Sequence, residues 1–151
     1  MKNNNPLAGA ITILCTALST DEVPIAILRG TFGTTVNGTV LNVDGAVKDL
    51  IRFGVLIECV NDKVDMFNKM KRDMTDWMIV NPEAIDILDI FVRQTPDTLY
   101  KFQYHPEFYD IKNCVRRFYH FCKSNRIEMF LNQHDLTNLN SVLCYYEINM
   151  W

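Results

Sequence analysis

The stretch that decides the fold is Asp44-Gly45-Ala46-Val47-Lys48-Asp49-Leu50-Ile51-Arg52-Phe53-Gly54-Val55-Leu56-Ile57-Glu58-Cys59-Val60-Asn61-Asp62-Lys63-Val64-Asp65-Met66-Phe67. Its period changes half-way along. Asp44 is a good helix cap, and Ala46, Val47, Leu50 and Ile51 recur at helical spacing on one face. Gly54 ends that helix, with Phe53 expected in the core. Beyond it, residues 55–60 read as a strand, Asn61-Asp62 as a tight turn and residues 63–67 as the returning strand. Ile57 and Val64 then sit on neighbouring strands.

Upstream, residues 7–18 form an apolar run that reads as a buried helix, with Pro6 in the tolerated first turn. Ser19, Thr20 and Asp21 stop it. Asp21-Glu22-Val23-Pro24 opens a short helix over 25–29, its acids set against the N-terminal dipole, and Gly30 and Gly33 close it. Residues 34–43 are β-branched and broken by the turn signal Asn37-Gly38, which suits a strand pair or an irregular loop. Three helices followed by a two-stranded hairpin is the order of a winged helix. Downstream the chain is helical again. One helix spans 68–80, with Met70, Met74, Trp77 and Met78 at helical spacing. Asn81 caps a second, carrying Ala84, Ile85, Leu88 and Phe91; a third runs over about 107–131 with one break; a last covers 136–148. The expected class is mostly α, with a winged-helix domain over 1–78 and a helical bundle over 79–151.

Composition narrows the function classes. The 151 residues are 48% hydrophobic and 22% charged, with only six glycines and five prolines, which excludes a disordered or collagen-like chain. The net charge of −3 argues against a nucleic-acid cloak. Cys15, Cys59, Cys114, Cys122 and Cys144 are odd in number, scattered and without a C-x-x-C pair. They read as reduced, buried thiols in a cytoplasmic chain rather than a disulfide framework. Lys2 and the apolar run after it imitate a signal peptide, but suit a helix start better, and the run is too short to span a bilayer.

Catalytic and cofactor motifs are missing. There is no G-x-x-x-x-G-K-[ST], G-x-G-x-x-G, H-E-x-x-H or G-x-S-x-G. His105, Cys114, His120 and Cys122 have zinc-type side chains at irregular gaps, whereas Cys114, Phe118 and Cys122 repeat every four residues as a core stripe does. No metal, cofactor or nucleophile–base set is therefore expected, and no enzyme. Two basic clusters, Lys69, Lys71 and Arg72 and then Lys112, Arg116, Arg117, Lys123 and Arg126, read as solvated helix faces. Over 21–72 acids and bases balance, so a DNA-reading winged helix, the transcriptional-regulator alternative, is disfavoured.

Asn5-Pro6-Leu7 leading into residues 11–18, then Thr20-Asp21-Glu22-Val23-Pro24-Ile25-Ala26-Ile27-Leu28, resembles the opening of the winged-helix arm that follows the nucleotide-binding module in STAND signalling ATPases of the NB-ARC type. Residues 46–58 are similar to that arm's third helix and first wing strand. The likeness covers about residues 5–78. It implies a regulatory, protein-binding arm whose partner is a nucleotide-binding signalling domain. It also implies a Met-His-Asp-like motif after the wing, where this chain has Met66-Phe67-Asn68. Phenylalanine cannot hydrogen-bond a phosphate, so nucleotide sensing is not expected here.

The expected function is a non-enzymatic interaction module. An all-helical, viral-type modulator of cell death or innate signalling is the other alternative, suggested by the apolar-helix character of residues 49–60. The partner or self-association surface is placed at Phe32 with Ile27 and Arg29 beside it, because one short helix cannot bury so many apolar residues internally.

Overall fold

The structure is a computed structural model that describes residues 6–18, 22–33, 35–36, 39–125, 127 and 133–148, without side chains at 35–36, 39–40, 133–136 and 138. It is mostly α-helical. The order is α1 (Pro6–Leu18), β1 (Val23–Pro24), α2 (Ile25–Phe32), β2 (Thr35–Val36), β3 (Thr39–Val40), α3 (Val43–Arg52), β4 (Ile57–Cys59), β5 (Lys63–Asp65), α4 (Asn68–Val80), α5 (Pro82–Phe102), α6 (Phe108–Ser124) and α7 (Gln133–Tyr145).

α1 is the axle. Ile11, Leu14 and Leu18 are fully buried, and the helix packs on α3, α4, α5 and α6. So buried a helix can carry polar side chains only if they are satisfied locally. Thr12 and Thr16 each donate to the carbonyl four residues back, Ala8 and Thr12, at 2.8 Å. One apolar cluster joins Ile11 and Leu50 to Leu88, Phe118 and Leu143, so the core runs unbroken from the first helices into the last.

The short sheet has the strand order β1-β5-β4, all antiparallel. The hairpin is where it was expected: Ile57 pairs with Asp65, Glu58 with Val64 and Cys59 with Lys63. Both strands are shorter than their apolar runs, because Leu56 and Met66 leave the ladder to enter the core. Asn61 and Asp62 turn the chain with φ of 62° and 55°, a region asparagine and aspartate tolerate. The third strand was not foreseen. Val23 and Pro24 pair with Val64 and Lys63, with proline at the sheet edge, where its missing N–H costs nothing. The N-cap of α2 is Pro24, which makes no side-chain cap, and the Ile25 N–H donates to the Asp62 carbonyl at 2.8 Å, so the hairpin turn caps the helix; Asp21 lies outside the described residues.

Four further expectations are corrected. α2 runs through Gly30 to a C-cap at Gly33, and Gly30 is the point of close approach to α5: a Cβ there would lie 3.1 Å from Thr98 Oγ1. The cap of α3 is Asn42, whose side chain accepts from the Gly45 N–H at 2.9 Å, leaving Asp44 in the first turn. α5 continues through Pro96 far beyond its predicted stripe, held by buried Phe91, Val92, Thr95, Thr98 and Leu99 on both sides of the proline. Phe53, expected in the core, is 70% exposed with Arg52 over its ring at 5.3 Å. It is the C-cap of α3, one step past the helical stripe, so it points away from Leu50. Residues 35–36 and 39–40 pair as the strand option for that segment requires, while Asn37-Gly38 and the far end of the predicted third bundle helix lie outside the described residues.

After α3 the Val55 N–H reaches back to the Leu50 carbonyl at 2.9 Å, with Gly54 between them at φ 78°. This is a Schellman-type stop that needs a left-handed residue. Gly54→Ala should therefore cost about 1 kcal/mol, read from the urea midpoint, although a methyl group there meets nothing within 4 Å. An unchanged midpoint would mean that the turn relaxes.

Candidate interaction surface

Of the three residues proposed for a partner surface, two are inside. Ile27 is 0% and Phe32 4% exposed. α2 lies between α3 and α5, so both of its flanks find apolar neighbours from elements that local sequence could not count. Only Arg29 reaches solvent. Its Nε and Nη2 donate to Asp44 Oδ1 at 3.0 and 2.7 Å, and that bond raises the Arg29 pKa further. The pair rims an open depression of about 460 Å³ between α2, the start of α3 and Lys101 of α5. Arg29 is thus matched to a carboxylate, while Lys101, the second cation of the rim, has its Nζ 5.7 Å from the Phe102 ring centroid.

Several other charged side chains are also paired within the chain. On α3, Arg52 pairs with Asp49 at 2.7 Å. Lys63 of β5 holds Asp110 of α6 at 2.9 Å, and Lys71 of α4 holds Asp65 at 3.2 Å. Arg117, expected on a solvated face, instead turns inward. Its Nε donates to the Leu18 carbonyl at 2.8 Å and its Nη2 to the Glu22 carbonyl at 3.2 Å. It thus closes the C-terminus of α1.

The His/Cys cluster separates as its spacing suggested: Cys114 and Cys122 are buried, whereas His105 and His120 are exposed. Burial pushes the Cys122 thiol up to about 12 and raises Cys15 as well, which makes both poor nucleophiles. Among the described residues no three His, Cys, Asp or Glu side chains could hold a metal ion.

Among the described residues, exposed tyrosines gather where α5, α6 and α7 meet. Tyr100 is 71%, Tyr104 93% and Tyr145 76% exposed. The Tyr145 ring meets Tyr146 edge-on with centroids 4.8 Å apart, and Tyr146 meets Phe108 in the same way at 5.5 Å. Desolvation, together with nearby Tyr145, Tyr100 and Tyr104, raises the Tyr146 pKa. Lys112 fixes the floor, with Nζ 5.4 Å from the Phe108 centroid and donating to the Tyr146 carbonyl at 3.4 Å. The sequence signal for this patch was present in the crowded aromatics of Leu99-Tyr100-Lys101-Phe102-Gln103-Tyr104-His105-Pro106-Glu107-Phe108-Tyr109. It became a patch only because α7 returns to the same place.

No family profile, curated protein or solved structure matches the chain. No helix among the described residues is long and apolar enough to cross a membrane.

Proposed function

We propose that this protein is a non-catalytic interaction module: a winged-helix domain joined to a helical bundle, acting in the cytoplasm by binding another protein and needing no cofactor. The observation that carries this reading is the tyrosine patch. Contiguous exposed aromatic area is uncommon on a lone domain, and tyrosine is enriched where proteins bind one another. The winged-helix part of the reading is supported by the order α1-β1-α2-β2-β3-α3-β4-β5, in which β1 joins the β4–β5 hairpin beside β5. Likeness to the arm of STAND signalling ATPases makes a nucleotide-binding signalling domain the partner of choice. Phe67, 56% exposed in the place of that family's histidine, supports an arm that binds protein without sensing nucleotide.

The test is affinity capture with the wild type and with Tyr100→Ala/Tyr104→Ala/Tyr145→Ala. The exposed substitutions should each shift stability by no more than about 0.5 kcal/mol. The wild type should retain a protein containing a nucleotide-binding domain, and the triple variant should lose it. Equal retention by both chains would overturn the assignment of the surface. Micromolar binding of ADP by the chain alone would overturn the non-sensing role.

A further inference from the structure

Among the described residues, α4 is a sparsely covered helix. Met78 is its one fully buried residue, and its outer face carries Lys69, Arg72, Asp73 and Asp76, all exposed, followed by Ile79 and Val80 at 49% and 76% exposure. The spacing i, i+3, i+4, i+7, i+10 and i+11 places these six on one stripe. Ahead of them, at the N-cap, stands exposed Phe67. From end to end the stripe reads apolar, basic, basic, acidic, acidic, apolar.

This order is unfavourable for a lone helix. Bases crowd the positive end of the helix dipole, and no acid lies in the first turn or base in the last. A base four residues ahead of an acid is also the weaker orientation for a helical ion pair. Lys69 makes such a pair with Asp73 at 3.0 Å, both fully in solvent, while Arg72 and Asp76 make no ion pair among the described residues.

The same order is self-complementary under a two-fold axis. An antiparallel second copy of α4, centred between Arg72 and Asp73, sets Lys69 against Asp76 of the other copy and Arg72 against its Asp73. Each pair occurs twice. The apolar ends then meet, Phe67 of one copy against Ile79 and Val80 of the other, and the two helix dipoles run opposed. An isologous contact requires a patch that matches itself in this way. We infer that the outer face of α4 is a homodimer contact in which a second copy of this chain binds antiparallel. The inference stands apart from the tyrosine patch, with which this stripe shares no residue. A contact one short helix long makes a weak, concentration-dependent dimer.

Sedimentation velocity on the full chain tests it, with two charge variants: Lys69→Glu/Arg72→Glu, whose stripe is wholly acidic, and Asp73→Lys/Asp76→Lys, whose stripe is wholly basic. All four positions are exposed, and circular dichroism confirms that both variants fold. The wild type should dimerise with rising concentration at low ionic strength, its dissociation constant climbing about tenfold or more as salt screens the pairs. Each variant alone should stay monomeric at concentrations where the wild type dimerises. Mixed in equal amounts, the two should form a heterodimer. A wild type monomeric at high concentration and low salt, variants that dimerise as the wild type does, or a mixture that stays monomeric would each overturn the inference.

Discussion

Leu14→Ala should destabilise the chain by about 3–5 kcal/mol, the upper range for a leucine removed from a core that cannot collapse around the cavity. Leu14 is 0% exposed in α1, and α1 packs on four other helices, α3, α4, α5 and α6. No single neighbour can move in without leaving another. The form of the transition matters as much as its midpoint. Because one apolar cluster includes Leu50, Leu88 and Phe118, wild type and variant should each unfold in a single step, with calorimetric and van't Hoff enthalpies equal. Two separate transitions, only the earlier one moved by the substitution, would show that the first and last helices are energetically independent despite the shared core.

Arg117→Met should cost about 2–3 kcal/mol while keeping most of the side-chain packing. The arginine is the donor to the Leu18 and Glu22 carbonyls, and hydrogen bonds to a charged group contribute about 1.5–3 kcal/mol because their loss strands desolvated acceptors. Arg117→Lys should recover only part of this, since one ammonium cannot reproduce two donors held in a fixed fork. Urea denaturation of the three proteins measures the order. Hydrogen exchange adds a local readout, with the last turn of α1 losing protection in the methionine variant before the rest of the helix. If Arg117→Met matches the wild type, water closes the end of α1 and the guanidinium is incidental.

The comparison of these two residues shows what each level of description could reach. Leu14 was legible: an apolar run with proline in its first turn cannot be exposed over its whole circumference, so residues 7–18 had to be a buried helix. The hairpin was equally legible, since a change of period from helical to alternating and a left-handed turn at Asn61-Asp62 are local properties. Arg117 was not. On a helix of mixed charge nothing local distinguishes a cation facing water from one that reaches two carbonyls nearly a hundred residues away.

Phe32 and Phe53 illustrate the same division, with their expected places exchanged. The spacing that put Phe32 on the surface counted only the apolar residues of α2, whereas α3, α5 and β1 all pack on that helix and Phe32 belongs to the common core. Phe53, expected in the core, is instead exposed at the glycine stop that ends α3. The tyrosine patch needed the return of α7, and β1 needed Val64 as its partner. The sequence by itself determined the helices with strong apolar faces, the hairpin and the lack of phosphate- or metal-binding motifs, because periodicity, turn geometry and side-chain chemistry act over a few residues. Tertiary structure alone decided which apolar residues stay uncovered, how α2 and the end of α1 are capped, and where the charges go, because each of those depends on a neighbour brought close by folding.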